Sequence, residues 1–170
     1  PHPVESLAVW PVINGQVALV SSFGFSFMEV VVAVLKKPQA IDIVRRLSVF
    51  LVGLSLVVLL LVAFTPLAPG WQRIIAGLSP ELTGFAIPAL QLSLLLPALS
   101  VIQSWLRGVI VVSDSTSAIG EATFISVFFL VLGLVIGVAT VGWPGAAMAA
   151  VALTLSRVLE VGWLWYRARP

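Results

Sequence analysis

The chain has 170 residues, of which 60% are hydrophobic and only 9% are charged, with a formal net charge of +2. Soluble domains average roughly 45–50% apolar and roughly 25% charged residues, so this composition is typical of a membrane protein and excludes a soluble globular one. The absence of cysteine excludes disulfides, thiolate catalysis and Cys-ligated metal sites, and the single histidine, His2, cannot build a multi-histidine metal site.

Five stretches of the sequence contain no Asp, Glu, Lys or Arg. They are residues 6–28, 47–65, 82–106, 122–141 and 145–156. A helix needs about 20 apolar residues to cross a bilayer core, and an uncharged run of about 18 or more predicts a span. The first four runs meet that length alone, whereas the fifth meets it only if Arg157 and Glu160 lie inside the membrane. The sequence therefore predicts an all-α polytopic membrane protein.

The predicted elements follow in chain order from these runs and the breaks between them. They are five spans at about 6–35, 44–65, 81–106, 118–140 and 145–165, with a short interfacial helix at about 70–78. The interfacial helix is predicted because its apolar residues recur at the spacing of one helical face, with Arg73 on the other side. Those apolar residues are Trp71, Ile74, Ile75 and Leu78.

Basic residues fall almost entirely on one side of the predicted spans. That side holds Lys36, Lys37, Arg45, Arg46, Arg107, Arg167 and Arg169. Only Arg73 lies on the other side, and Arg157 lies within the fifth span. Short loops rich in Lys and Arg stay in the cytoplasm, so we expect these loops and the C-terminus to be cytoplasmic, in a bacterial inner membrane or a plasma membrane. The first span then begins outside the cytoplasm, from which we expect at least one further span before Pro1.

Short motifs at the breaks between spans follow one another in a distinctive order. They are Trp71–Leu78, Pro80-Glu81, Arg107-Gly108, Asp114–Ser117, Gly142–Gly145 and Ala146–Ala152. In this order they resemble the multidrug/oligosaccharidyl-lipid/polysaccharide exporter superfamily, whose members are built from two six-span halves. The resemblance covers nearly the whole chain and implies spans two to six of one half, the C-terminal one, of a MATE-like transporter fold.

A second set of short matches lies mostly within the spans. It comprises Val9-Trp10-Pro11-Val12, Phe64-Thr65-Pro66, Gly77-Leu78 with Glu81-Leu82, Ser93 to Pro97 with Gly108, and Leu159-Glu160. These matches resemble the progressive ankylosis family within the superfamily. The resemblance implies export of a small organic anion by alternating access, with the bilayer, the missing other half and the small-molecule cargo as partners. Other families of the superfamily imply a lipid-linked saccharide flippase or a multidrug or cation antiporter, and a non-transporting membrane scaffold or assembly subunit is the alternative of another class.

Polar residues inside the spans are candidates for a solute pathway, because polar groups in lipid turn toward a neighbouring helix or a water-filled cavity. In the first span Asn14, Ser22 and Glu29 lie on roughly one face. Interhelical packing is the simpler interpretation for the serine. For Glu29, pairing with nearby basic residues and a role in the cavity are equally open.

The third span combines two prolines, Pro88 and Pro97, with polar side chains that lead to its end. The candidates there are Gln91, Ser100, Gln103 and Arg107. Proline removes a backbone hydrogen bond, so we expect a kink. A kinked, polar-striped helix is typical of the moving wall of a transporter, although membrane helices also tolerate a static kink.

Arg157 and Glu160 are three residues apart on the predicted fifth span, where they can form an ion pair within the helix. A structural pair is the simpler interpretation. In the alternative, Arg157 faces the cavity and offers two parallel hydrogen bonds to a carboxylate or phosphate of the cargo. A cation antiporter would instead need an unpaired carboxylate inside the membrane, for which Glu29 is the candidate.

The sequence offers little to an enzymatic interpretation. It has no HExxH, no GxSxG and no glycine-rich phosphate loop, and Asp114 lies between serines without a histidine base. We therefore expect no enzyme, no cofactor, no metal site and no nucleic-acid partner.

Overall fold

The computed structural model describes residues 3–35, 41–113, 116–140 and 143–168, and all the regular elements in these ranges are helices. They are α1 (Pro3–Leu35), α2 (Ile41–Phe64), α3 (Leu67–Gly70), a π-helical segment (Trp71–Ile75), α4 (Pro80–Leu92), α5 (Leu96–Val112), α6 (Ser117–Thr140) and α7 (Gly145–Arg167). Five stretches are long and apolar enough to cross a membrane: α1, α2, α4 together with α5, α6 and α7. The prediction of an all-α chain with five candidate spans is confirmed.

Close contact between α1 and α5 forms the centre of the bundle, and two glycines permit it. A Cβ atom added at Gly24 would meet the Ser100 hydroxyl and lie 3.0 Å from the backbone nitrogen of Val101. A Cβ atom at Gly108 would lie 2.5 Å from Val31 Cγ1. Small residues let helix backbones approach each other in membranes, where van der Waals packing drives association. The helices α2, α4 and α7 pack around this pair.

The third candidate span is broken just before Pro97, as that proline predicts, whereas Pro88 lies within the continuous helix α4. The helix α4 ends at Leu92, and α5 begins at Leu96 with Pro97 in its first turn. Between them lies a turn that begins at Ser93, whose fully buried hydroxyl donates to the Ala89 carbonyl at 2.8 Å. The kink therefore separates two helices with a defined turn between them.

The segment after the second span differs from the predicted helix at about 70–78. Helical structure begins earlier, at Leu67, continues as a π-helical turn from Trp71, and ends at Ile75. The chain turns at Gly77, whose φ of +67° is the left-handed conformation that favours glycine, so the helix cannot reach Leu78. Its apolar side chains point outward, since Ile74 is 85% exposed. An outward apolar face fits a segment lying on a membrane surface.

The ends of four helices gather at one end of the bundle. Leu35, Ile41, Val112 and Ala168 line a common cavity there, so the end of α1, the start of α2 and the ends of α5 and α7 lie together. We call this the basic end, because Arg45 and Arg46 of α2 and Arg167 of α7 lie within two turns of it.

At the opposite end, the beginnings of α1 and α7 meet, where a Cβ atom added at Gly145 would lie 3.2 Å from Ser6 Cβ. Arg73 belongs to this end. Among the described basic residues, Arg45, Arg46 and Arg167 thus lie at one end of the bundle and Arg73 lies at the other, as the sequence predicts. Several residues of the sequence argument lie outside the described ranges: Lys36, Lys37, Asp114, Gly142 and Arg169.

Candidate functional site

Four polar side chains from α5 and α7 meet inside the bundle. Gln103 and Arg107 are four residues apart on α5, and Arg157 and Glu160 are three residues apart on α7, so each pair shares a helix face. By helix rise, Arg107 lies about 8 Å and Glu160 about 10 Å from the basic ends of their helices. We call these four residues the α5–α7 cluster.

Glu160 is the centre of the α5–α7 cluster, and only 1% of its side chain is exposed. Its Oε1 accepts hydrogen bonds from Arg107 Nη2 at 2.5 Å and from the Gln103 side-chain amide. Its Oε2 accepts from Arg157 Nη1 at 3.2 Å. Burial of a carboxylate is tolerated when donors and opposite charge surround it, and here three donors from two helices do so.

The two arginines of the cluster keep part of their surface free. The side chains of Arg107 and Arg157 are 27% and 38% exposed. Arg107 also donates to Thr123 Oγ1 of α6 at 3.2 Å, and Arg157 donates to Gln103 Oε1 at 3.0 Å. The buried Nε of Arg107 has no partner within the described ranges. Two positive charges therefore share one negative charge, and donor capacity is left over.

Arg107 lies within a helix and not in the basic loop that the sequence predicts. The third span was predicted to end at about residue 106, which put Arg107 in a basic loop. The helix α5 instead continues to Val112, because the residues after Gly108 are apolar and contain no helix breaker. This extension of α5 brings the Arg107 guanidinium into contact with the Glu160 carboxylate. One signal pointed there: Arg107 follows Gln103 by one helical turn on the same face.

The predicted pair of Arg157 and Glu160 is present in the structure, but Glu160 is not neutralised by Arg157 alone. The shorter of its two ion pairs is with Arg107, at 2.5 Å against 3.2 Å. Thr123 of α6 was not among the sequence-predicted residues either. A threonine on a helix surface normally bonds its own helix, as Thr123 also does at the Ile119 carbonyl, so nothing in the sequence marked it.

The other predicted pathway residues lie elsewhere. Ser100 is buried against Gly24, with its hydroxyl donating to the Pro97 carbonyl at 2.6 Å, which is a packing role. Gln91 is half-buried and donates to the Ala63 carbonyl at 3.4 Å. The three candidates on α1 are exposed on its outer face: Asn14, Ser22 and Glu29. The structure thus gathers four of the nine predicted residues in one cluster.

Comparison with protein-family models, with curated proteins and with solved structures finds no match to this chain. The resemblance to the exporter superfamily and to the progressive ankylosis family stays a prediction from the sequence.

The chemistry available to the α5–α7 cluster is hydrogen-bond donation to an anion. Within the described ranges, no three His, Cys, Asp or Glu side chains lie close enough together to hold a metal ion. Glu160 already accepts three hydrogen bonds, whereas both guanidinium groups have donors to spare. A carboxylate or phosphate group matches such donors, and a guanidinium can bind either with two parallel hydrogen bonds.

Two buried glutamines were also missed by sequence reasoning. Gln16 of α1 is 5% exposed and Gln72 of the π-helical segment is fully buried, and neither side-chain amide has a partner within the described ranges. Sequence periodicity placed Gln72 beside an apolar face without showing that it points inward. Buried amides without partners are rare, so both are sites where a bound water molecule would be stabilising.

Proposed function

We propose that this chain is part of a membrane transporter that exports a small organic anion by alternating access. The observation that carries the proposal is the α5–α7 cluster, in which two guanidinium groups share one carboxylate. Charged side chains inside a membrane are unfavourable, and they are retained where they pair with one another or serve a solute pathway. Pairing accounts for one arginine, and the other is available to an anion.

Arg157 is the better candidate for contact with the anion. Its side chain is the more exposed of the two, and its contact with Glu160 is the longer. Arg107 can neutralise Glu160 by itself through the 2.5 Å ion pair. Replacement of Arg157 therefore leaves a balanced pair behind, which makes this residue a clean probe of anion binding.

Two further features of the structure support the proposal: a break that lets the third span bend, and a polar face that suits contact with a cavity or with the other half of the transporter. The break between α4 and α5 gives the third span a turn where its halves can change their relative angle. On α1, Asn14, Ser22 and Glu29 are exposed at positions that a lipid environment disfavours. We infer that this face meets a water-filled cavity or the other half of the transporter.

A structural role for the cluster is the second candidate, and one observation favours it. Glu160 is almost fully buried and ties α5 to α7, as a purely structural link between helices would. In that case the protein could be a scaffold or assembly subunit without cargo. The cluster gives a cation antiporter less support, because Glu160 is paired twice, and that function would depend on Glu29 of α1 instead.

Ligand-induced thermal stabilisation separates the transport role from the structural one. The purified protein in detergent is heated with inorganic phosphate, sulfate or simple mono-, di- and tricarboxylates, each compared with chloride at equal ionic strength. A ligand present at 100 times its Kd stabilises the folded state by about 2.7 kcal/mol. We expect at least one organic anion to raise the unfolding temperature, and Arg157→Gln to abolish that rise while unfolding normally without ligand.

Arg73→Gln is the matched control, because it removes an exposed arginine at the opposite end of the molecule. It should keep the full response to the anion. Proteoliposomes that contain this chain together with the other half of the transporter, loaded with the stabilising anion, should then show saturable efflux that Arg157→Gln reduces. An anion response that Arg157→Gln leaves unchanged, or the absence of a response to every one of these anions, would overturn the proposal.

A further inference from the structure

An apolar cavity of about 490 Å³ opens at the basic end of the bundle. The described residues that line it include Leu35, Ile41, Trp105, Val109, Val112 and Trp165. The two tryptophan rings lie 6.1 Å apart between centroids, tilted by 48°. Ligand pockets commonly have volumes of about 300–1,000 Å³, so the cavity is large enough for part of a small molecule or of a lipid chain.

Arginine side chains of α2 follow Ile41, the residue with which that helix lines this cavity, by about one helical turn. Arg45 follows Ile41 by four residues on α2, so the two share a helix face and Arg45 can reach back toward the cavity rim. A second cavity, of about 420 Å³, is lined by Asp42, Arg45, Arg46 and Val49. This group carries a net charge of +1, from two arginines and one aspartate. Within the described ranges neither arginine forms an ion pair.

We propose that these two cavities form one binding site for an anionic phospholipid. An acyl chain occupies the apolar cavity against Trp105 and Trp165, and the phosphate lies at Arg45. The second cavity lies on the surface of α2 alone, since all its lining residues belong to that helix. Basic residues at the end of a membrane helix attract acidic lipid headgroups, and tryptophan is enriched at the level of the headgroups. The proposal rests on the membrane-spanning architecture and is independent of the transport proposed above.

The combination of the two cavities favours a lipid over a soluble anion. Free phosphate would gain nothing from an apolar cavity lined by two tryptophans. A zwitterionic lipid would fill the apolar cavity equally well but would leave the positive charge beside it without a counter-charge. Each arginine near an anionic headgroup is worth about fivefold in affinity. The site should therefore prefer phosphatidylglycerol over phosphatidylcholine.

Tryptophan quenching by brominated lipids tests this preference in the reconstituted protein. Vesicles contain phosphatidylcholine and phosphatidylglycerol in equal amounts, with dibrominated acyl chains on one lipid or on the other. We expect brominated phosphatidylglycerol to quench more than its bulk share predicts. The excess should disappear in the double variant Trp105→Phe with Trp165→Phe, which removes the two reporters in the cavity.

Variants of the arginines then locate the headgroup. Arg45→Gln should lower the preference for phosphatidylglycerol about fivefold, whereas Arg73→Gln is the control, because Arg73 is exposed at the opposite end of the molecule. Val109→Phe, which fills the apolar cavity, should also reduce the excess. Equal quenching by the two brominated lipids in the wild-type protein would overturn the proposal, as would an excess that survives removal of both tryptophans. The wild-type comparison decides the matter even if a variant fails to fold.

Discussion

Glu160 is the side chain on which the α5–α7 cluster depends, because its carboxylate holds donors from two helices. Glu160→Gln removes the only negative charge of the cluster and leaves the guanidinium groups of Arg107 and Arg157 facing each other. We expect a loss of about 2–3 kcal/mol in the free energy of unfolding. This lies below the roughly 3–5 kcal/mol typical of a fully buried broken pair, because both arginines keep contact with solvent. Unfolding in mixed detergent micelles measures the loss.

Arg167→Gln is a suitable control on the same helix. It breaks the pair of Arg167 with Glu121, which is 2.9 Å long and whose partners are 40% and 42% exposed. Exposed pairs contribute about 0–1 kcal/mol, so this variant should be nearly neutral. Arg157→Gln should also be mild, since Arg107 still neutralises Glu160. Similar losses for Glu160→Gln and Arg167→Gln would contradict the central role of Glu160.

At the level of single residues, sequence spacing could predict contacts within a helix but not contacts between helices. The pair of Arg157 and Glu160 followed from their i, i+3 positions. The stronger link of Glu160 to Arg107 spans 53 residues and depends on how α5 and α7 are rotated against each other. A single sequence carries no measure of that rotation, because α5 has several polar residues that could have faced α7.

Among the helices, the close approach of α1 and α5 should be the contact most sensitive to side-chain volume. In Gly24→Ala the added methyl group would meet Ser100 and would lie 3.0 Å from the Val101 backbone nitrogen, which cannot move without shifting α5. Overpacking of this kind costs about 1–3 kcal/mol. We expect a lower midpoint of detergent-induced unfolding for this variant.

Gly15→Ala is the control within the same helix, since a Cβ atom there meets nothing within 4 Å. Alanine favours a helix over glycine by about 1 kcal/mol, so Gly15→Ala should leave stability unchanged or slightly raised. If Gly24→Ala were tolerated as well as Gly15→Ala, the tight packing of α1 on α5 would be wrong.

The elements themselves were largely predictable, and the failures have local causes. Uncharged runs predicted the five candidate spans, and Pro97 predicted the break between α4 and α5, whereas Pro88 does not interrupt α4. The segment at 67–75 was misplaced because periodicity assumes an α-helix, whereas residues 71–75 form a π-helical turn that a left-handed Gly77 follows. The sequence predicts an end for the third span that is too early, because a basic residue such as Arg107 is typical of a loop.

For the whole molecule, the separation of basic residues predicts which end of the bundle faces the cytoplasm. The chain has no cysteine, so Thr116→Cys and Glu81→Cys each introduce a single thiol, at the basic end and at the opposite end. Both positions are exposed. In cells, a membrane-impermeant maleimide should label Glu81→Cys from outside and should reach Thr116→Cys only after permeabilisation.

Labelling in detergent is the control, because both thiols should then react equally. If the two thiols were labelled from the same side of the intact membrane, the third candidate span would not cross it. Labelling from opposite sides in the reverse sense would keep the spans and invert the orientation expected from the basic residues.

The placement of charge on α7 also bears on how the protein enters the membrane. This helix is the least hydrophobic of the five candidate spans, and Arg157 and Glu160 lie within that candidate span. Insertion scales assign about 2.5–3.5 kcal/mol against an arginine at the centre of a span. The helices α5 and α6 precede α7 along the chain. Gln103 and Arg107, which donate to Glu160, and Thr123, which accepts from Arg107, are therefore made before Glu160. The order of synthesis thus provides α7 with a polar docking site before its charges have to leave water.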